Sequence, residues 1–223
     1  MSIFKELIHW TEPLLETLGT HWQPSNPLYA LQRADECVSE GIEPVCVILG
    51  QDPYPQKGVP TGLAFANSLE YVVKNKGKLS PSLQVIFDSL KRLSLKDAEN
   101  SSIPYKVPVF DPTLETWVDQ GIVLLNSSLT VEPNKPGSHQ MFWAPHMKSM
   151  IEAISQEYPD LCWILLGSYA GLFDRCIAKS CFVVKDNHPA RYIREVREMP
   201  VYVWEKSREY CKVFLGKEIH WWE

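Results

Sequence analysis

The sequence has no surplus of positive charge: 22 lysines and arginines stand against 27 aspartates and glutamates, a formal net charge of -5. That argues against binding a polyanion by bulk electrostatics and leaves room for a local basic groove. Cys37, Cys46, Cys162, Cys176, Cys181 and Cys211 contain no Cys-x-x-Cys pair and no regular framework. They read as reduced packing thiols of an intracellular protein. The histidines His9, His21, His139, His146, His188 and His220 have no short ligand spacing to one another or to cysteine, so no metal is expected, and no other cofactor. Residues 1–10 lack a basic region followed by a long apolar stretch, so neither secretion nor a membrane span is expected. The expected setting is cytoplasmic, or nuclear for a eukaryotic or viral source. Internal repeats, low-complexity tracts and dividing linkers are missing too.

Apolar material, by contrast, is sufficient for a sizeable core, at 45% of 223 residues, and one domain over residues 1–223 is expected. Helical spacings run through residues 3–18, with Thr11-Glu12-Pro13 as an expected break, and through residues 28–38. Ser80-Pro81-Ser82-Leu83 reads as a helix start, with Leu83, Ile86, Phe87 and Leu90 on its buried stripe. Further helices are expected around Met147, Ile151 and Ile154, from Gly167-Ser168 through Ile177, and over residues 202–215. Residues 94–109 are polar and proline-containing and read as a loop. Apolar runs at 45–49, 122–126, 161–166 and 182–184 read as buried strands. Strands alternating with helices predict an α/β fold: a central four-stranded, mostly parallel sheet flanked by helices on both faces.

The chemistry lies at the strand ends. Val47-Ile48-Leu49 breaks into Gly50-Gln51-Asp52-Pro53-Tyr54, where Pro53 keeps Asp52 out of the helical region. The other three runs end at Asn126, Gly167-Ser168 and His188. Singly, each is an ordinary turn or helix-start residue. Together, a carboxylate, an amide and an imidazole at one sheet edge suit a ligand crevice. A serine hydrolase is set aside, because Gly167-Ser168 lacks the residue that a nucleophile elbow places between glycine and serine.

With Gly62-Leu63-Ala64-Phe65, Pro81-Ser82-Leu83 and the Ile219-His220-Trp221 ending, these motifs resemble the uracil-DNA glycosylases in order and approximate spacing, above all their main uracil-specific branch. The resemblance implies a monofunctional hydrolase that flips uracil out of single- or double-stranded DNA and cleaves its N-glycosidic bond, leaving an abasic site. It implies that Asp52 stabilises the sugar cation and orients water, that His188 donates to uracil O2, and that the Gln51 backbone adds a donor. Phe65 would stack on the base, Asn126 would read O4 and N3–H, and Tyr54 would exclude a thymine methyl. Ser82, Gly167 and Ser168 match phosphate-contacting loops. The expected partners are uracil-containing DNA and a protein inhibitor or replication partner, with the chain a monomer.

Two departures from the family pattern stand out. Pro55 replaces the histidine that usually follows the tyrosine, which bears on catalytic rate. The expected loop over 188–193 reads Pro189-Ala190-Arg191-Tyr192-Ile193 after His188, where the branch has Pro-Ser-Pro-Leu-Ser. Arg191 is the expected phosphate contact, and Tyr192 the wedge that fills the vacated base stack, unless its ring packs on the protein. Arg191, Arg194 and Arg197 lie beside Glu195 and Glu198, which reads as a solvated face or as the basic edge of a DNA cleft. These departures keep open a glycosylase-like DNA-binding or replication accessory protein with weak or no catalysis.

Overall fold

The computed structural model describes residues 1–101 and 105–223. Its four apolar runs are strands, β1 (Cys46–Gly50), β2 (Ile122–Asn126), β3 (Cys162–Leu166) and β4 (Phe182–Asp186). They form one sheet in the order β2-β1-β3-β4, with every neighbouring pair parallel. β1, β2 and β3 are buried at every position. A strand covered on both faces has no polar side to show, hence the unbroken apolar runs.

Around the sheet lie α1 (Ile3–Thr17), α2 (Tyr29–Ser39), α3 (Leu69–Lys74), α4 (Pro81–Glu99), α5 (Glu115–Val118), α6 (Gln140–Glu157), α7 (Ser168–Gly171), α8 (Pro189–Arg194) and α9 (Tyr202–Phe214), with a 3-10 turn over Leu172–Cys176. α2 and α5 pack on β2, and α9 packs on β3 and β4. Among the described residues no helix is long and apolar enough to cross a membrane.

Three expectations need correction. α1 runs through Pro13 without a break. Proline withholds the N–H that would serve the His9 carbonyl, but His9 lies on the exposed face, where water can serve it, while Phe4, Leu7 and Thr11 anchor the buried one. α4 continues to Glu99, so residues 94–99 of the expected loop are helical; residues 102–104 of that segment lie outside the described residues. The polar character of this last turn reflects pairing with α9, through Lys96 to Glu205 at 2.5 Å and Asp97 to Arg208 at 2.6 Å. Finally, the segment after His188 is not a loop but the short helix α8.

The chain's end is bound into the core by indoles. Trp221, 1% exposed, sits edge-on to Trp117 and Trp204 at centroid distances of 5.0 and 5.4 Å. Its ring N–H donates to the Trp204 carbonyl at 3.2 Å, and its own carbonyl accepts from the Trp117 indole at 3.1 Å. Buried indoles need such partners, and the Trp204 ring N–H completes the set by donating to the Ser89 hydroxyl at 3.1 Å. Replacing Trp221 by alanine is predicted to destabilise the fold by about 3–5 kcal/mol, seen as a lower urea midpoint at unchanged slope; a loss below 1 kcal/mol would show that the tail is not part of the core.

Candidate active site

Because the strands are parallel, the residues that follow them emerge at one sheet edge. The chain leaves β1 toward β2 on one side, then returns to build β3 and β4 on the other, which opens a crevice outside the strand ends. A cleft of about 530 Å³ lies there. Its lining includes Gln51, Asp52, Tyr54, Phe65, Ser82, Asn126, Ser168, His188 and Arg191. Gly167 lies just behind, where a Cβ would come within 3.0 Å of the His188 Cβ.

Asn126 is positioned by register. It pairs with Gly50 across β1 and β2, and paired residues on parallel strands project to the same face. A Cβ on residue 50 would lie 2.7 Å from Asn126 Oδ1 and 3.2 Å from the Phe65 ring. The missing side chain at Gly50 is therefore the space that the carboxamide and the phenyl ring share. Among the described residues no protein group hydrogen-bonds the Asn126 carboxamide, although Asn126 is buried. Ser127 holds the turn beneath it, its hydroxyl donating to the Gly50 and Gln51 carbonyls at 2.9 Å each.

Phe65 has a left-handed backbone, φ +67°, which costs a non-glycine residue roughly 1–2 kcal/mol. Two bonds hold it there. The Tyr54 hydroxyl donates to the Phe65 carbonyl at 3.0 Å, and Ala64 N–H donates to Leu124 at 3.0 Å. The Phe65 ring then stands 5.7 Å from the His188 ring, tilted by 43°.

Asp52 is held from a distant part of the chain. Gly137 N–H donates to its Oδ2 at 2.6 Å, and Asn134 N–H donates to the Pro55 carbonyl at 2.8 Å, so residues 134–137 grip both ends of the Asp52 turn. Burial pushes the carboxyl above its usual range, against the opposing pull of Gly137 N–H and the Gln51 side chain. Gly137 went unnoticed in the sequence. Pro136-Gly137 signals a turn, but nothing local indicates that it reaches a carboxylate 85 residues away.

His188 caps α8, with Nδ1 accepting from Ala190 N–H at 3.2 Å. An accepting Nδ1 leaves the ring proton on Nε2. Burial, aided by the charge of Arg194, pushes its pKa down to about 4, so at neutral pH the imidazole is uncharged and still a donor.

The expectation for Tyr192 is overturned. Its ring is 4% exposed, its hydroxyl donates to Asp186, and it does not line the cleft. The helical turn after His188 points it inward, where the phenol finds a carboxylate at the end of β4. Arg191 is on the cleft wall but occupied, with Nε on Glu195 at 2.6 Å and Nη1 on Asn187 at 2.8 Å. Arg194, also on the wall, was not singled out as a site residue from the sequence. Taken together, the cleft offers a planar ligand an aromatic face, a paired amide donor and acceptor, a neutral imidazole donor, and a carboxylate to face positive charge.

A family model described as the uracil DNA glycosylase superfamily matches residues 40–211. A uracil-DNA glycosylase of Borrelia turicatae (strain 91E135) is 32% identical over 194 residues, which cover 86% of this chain and 78% of that protein. One from Borrelia duttonii (strain Ly) is 35% identical over 66% of this chain, and the match spans 59% of its own length. A mimivirus UNG variant solved in complex with UGI superposes with a TM-score of 0.68 at 22% identity, over 99% of this chain and 83% of that one, which shows a shared fold.

The state of His188 is open to direct measurement. Its ring signals are predicted to titrate near pH 4 in an NMR pH series; titration near 6.5 would refute its burial. The folded pKa lies below the unfolded value of 6.5, so between those pH values the unfolded chain binds a proton that the folded chain refuses. Stability from this group is thus complete above about pH 6.5 and falls by roughly 3 kcal/mol as the pH drops to 4.

Proposed function

The chain belongs to the uracil DNA glycosylase superfamily, and on that premise we propose that it hydrolyses the N-glycosidic bond of uracil in DNA and leaves an abasic site. The observation that carries this reading is the convergence of Asp52, Phe65, Asn126 and His188 in one cleft. A flipped uracil stacks on Phe65, while Asn126 donates to O4 and accepts from N3–H. Among the described residues its carboxamide has no protein partner to give up. Cytosine presents the opposite pattern at those two positions, which disfavours it by about 1–3 kcal/mol, with a further penalty for the mispaired buried groups. The Tyr54 ring, held through its hydroxyl on Phe65, stands where a thymine methyl would come.

As the bond from C1′ to N1 breaks, the electron pair leaves with the base and positive charge remains on the sugar. Asp52 offsets that charge, orients the water that adds to C1′ and takes the proton which that water loses; the Gly137 N–H holds one carboxylate oxygen and leaves the other for these tasks. His188 Nε2–H donates to O2 as negative charge gathers there. A neutral donor serves, because the base leaves as an anion that needs a hydrogen bond rather than a proton. Ser82 and the Gly167-Ser168 turn contact the strand through hydroxyl and amide groups. The UGI complex of the mimivirus neighbour supports a protein inhibitor as a further partner.

The test is uracil release from single- and double-stranded oligonucleotides. Well-folded protein that releases none from either would sink the reading. Since only ionised Asp52 is competent, kcat/KM is predicted to fall as pH drops through an acid limb lying above 3.8, the ordinary carboxyl value, with no inflection near 6.5 from His188. Asn126→Asp is predicted to admit cytosine, because a protonated or rearranged carboxyl can meet its amino group; strict uracil specificity in that variant would remove Asn126 from base reading. Tyr54→Ala is predicted to allow some thymine release, and continued exclusion would place the C5 barrier elsewhere.

A further inference from the structure

A chain with net charge -5 must meet DNA through few cations, and their availability matters more than their number. Two arginines lie among the cleft's lining residues, Arg191 and Arg194. They are three apart on α8 and share its cleft-facing side with Ala190. Their states differ. Arg191 is bound to Glu195 through Nε and to Asn187 through Nη1. Arg197, just beyond the helix, holds the other oxygen of Glu195. One carboxylate thus engages two guanidiniums. Arg194 is exposed and, among the described residues, has neither an ion-pair nor a hydrogen-bond partner.

An unpaired guanidinium at the mouth of a cleft is a preorganised site for a tetrahedral anion, since its fork of N–H groups matches phosphate oxygens in pairs. We infer that Arg194 binds a backbone phosphate of the target strand, while Glu195 withholds Arg191 and Arg197 from the DNA. This rests on the glycosylase reading and goes beyond it, because the sequence motifs pointed to Arg191. Glu195 is then a brake on affinity. Exposed ion pairs are individually weak, so its removal frees two cations without unfolding the helix.

The experiment is a salt series on the full chain with a fluorescent duplex containing one 2′-fluorinated deoxyuridine, whose glycosidic bond resists cleavage. Each phosphate contact contributes about 0.9 to the slope of log affinity against log salt on duplex DNA. Arg194→Gln is expected to lower that slope by about one and weaken binding several-fold at low salt. Arg197→Gln, which removes the same charge from a guanidinium held by Glu195 and outside the cleft lining, is expected to leave the slope unchanged. Glu195→Gln is expected to steepen it by one to two. Thermal melts show that each variant is folded.

A wild-type slope in Arg194→Gln overturns the proposal, as does an equal loss in Arg197→Gln. So does an unchanged slope with reduced single-turnover cleavage, which would assign Arg194 to the departing base instead. Uracil release by the wild-type chain is measured in parallel. If it releases uracil while the slope prediction fails, only the arginine assignment falls; if it neither releases uracil nor binds the duplex, both readings fall.

Discussion

Parallel pairing of β1 with both β2 and β3 is the interaction on which the cleft depends. Parallel strands deliver their carboxyl ends to one edge, so residues far apart in sequence arrive together there. The pairing also sets depth. Register places Asn126 opposite Gly50, and the missing side chain at Gly50 leaves the carboxamide room beside Phe65. A slip of one residue would turn Asn126 to the other face of the sheet.

Desolvation then sets the electrostatics. Burial raises the Asp52 carboxyl and lowers the His188 imidazole, each toward its neutral form. The two groups are held differently. His188 has its Nδ1 occupied by Ala190 N–H and its proton on Nε2. At Asp52 the Gly137 N–H offsets part of the desolvation. A backbone donor does this without adding a positive charge that would compete for the carboxylate.

Around this dry centre the surface charge is arranged rather than abundant. Glu195 pairs with Arg191 and Arg197, and Tyr192 is turned into the protein by its bond to Asp186. Exposed apolar surface on this edge comes instead from Ile193 and Val196, which are 45% and 92% exposed. The edge that follows His188 thus differs in character from the family's Pro-Ser-Pro-Leu-Ser pattern.

What the sequence determined by itself were the strands and the groups at their ends. Buried parallel strands are apolar throughout, so 122–126 coincides with β2, and Asp52, Asn126 and His188 stand out as the polar residues that end such runs. The start of α4 and its stripe of Leu83, Ile86, Phe87 and Leu90 were equally legible, since capping and helical period are local properties. Only the tertiary structure decided the rest. The last turn of α4 is helical because Lys96 and Asp97 find partners on α9. Asp52 is held by a glycine 85 residues away. Arg191 and Tyr192, adjacent in sequence, separate into a paired surface cation and a buried phenol because one helical turn sends them to different environments. Strand and cap signals are written in neighbouring residues, whereas a side chain's partner is chosen by whatever the fold brings within bonding distance.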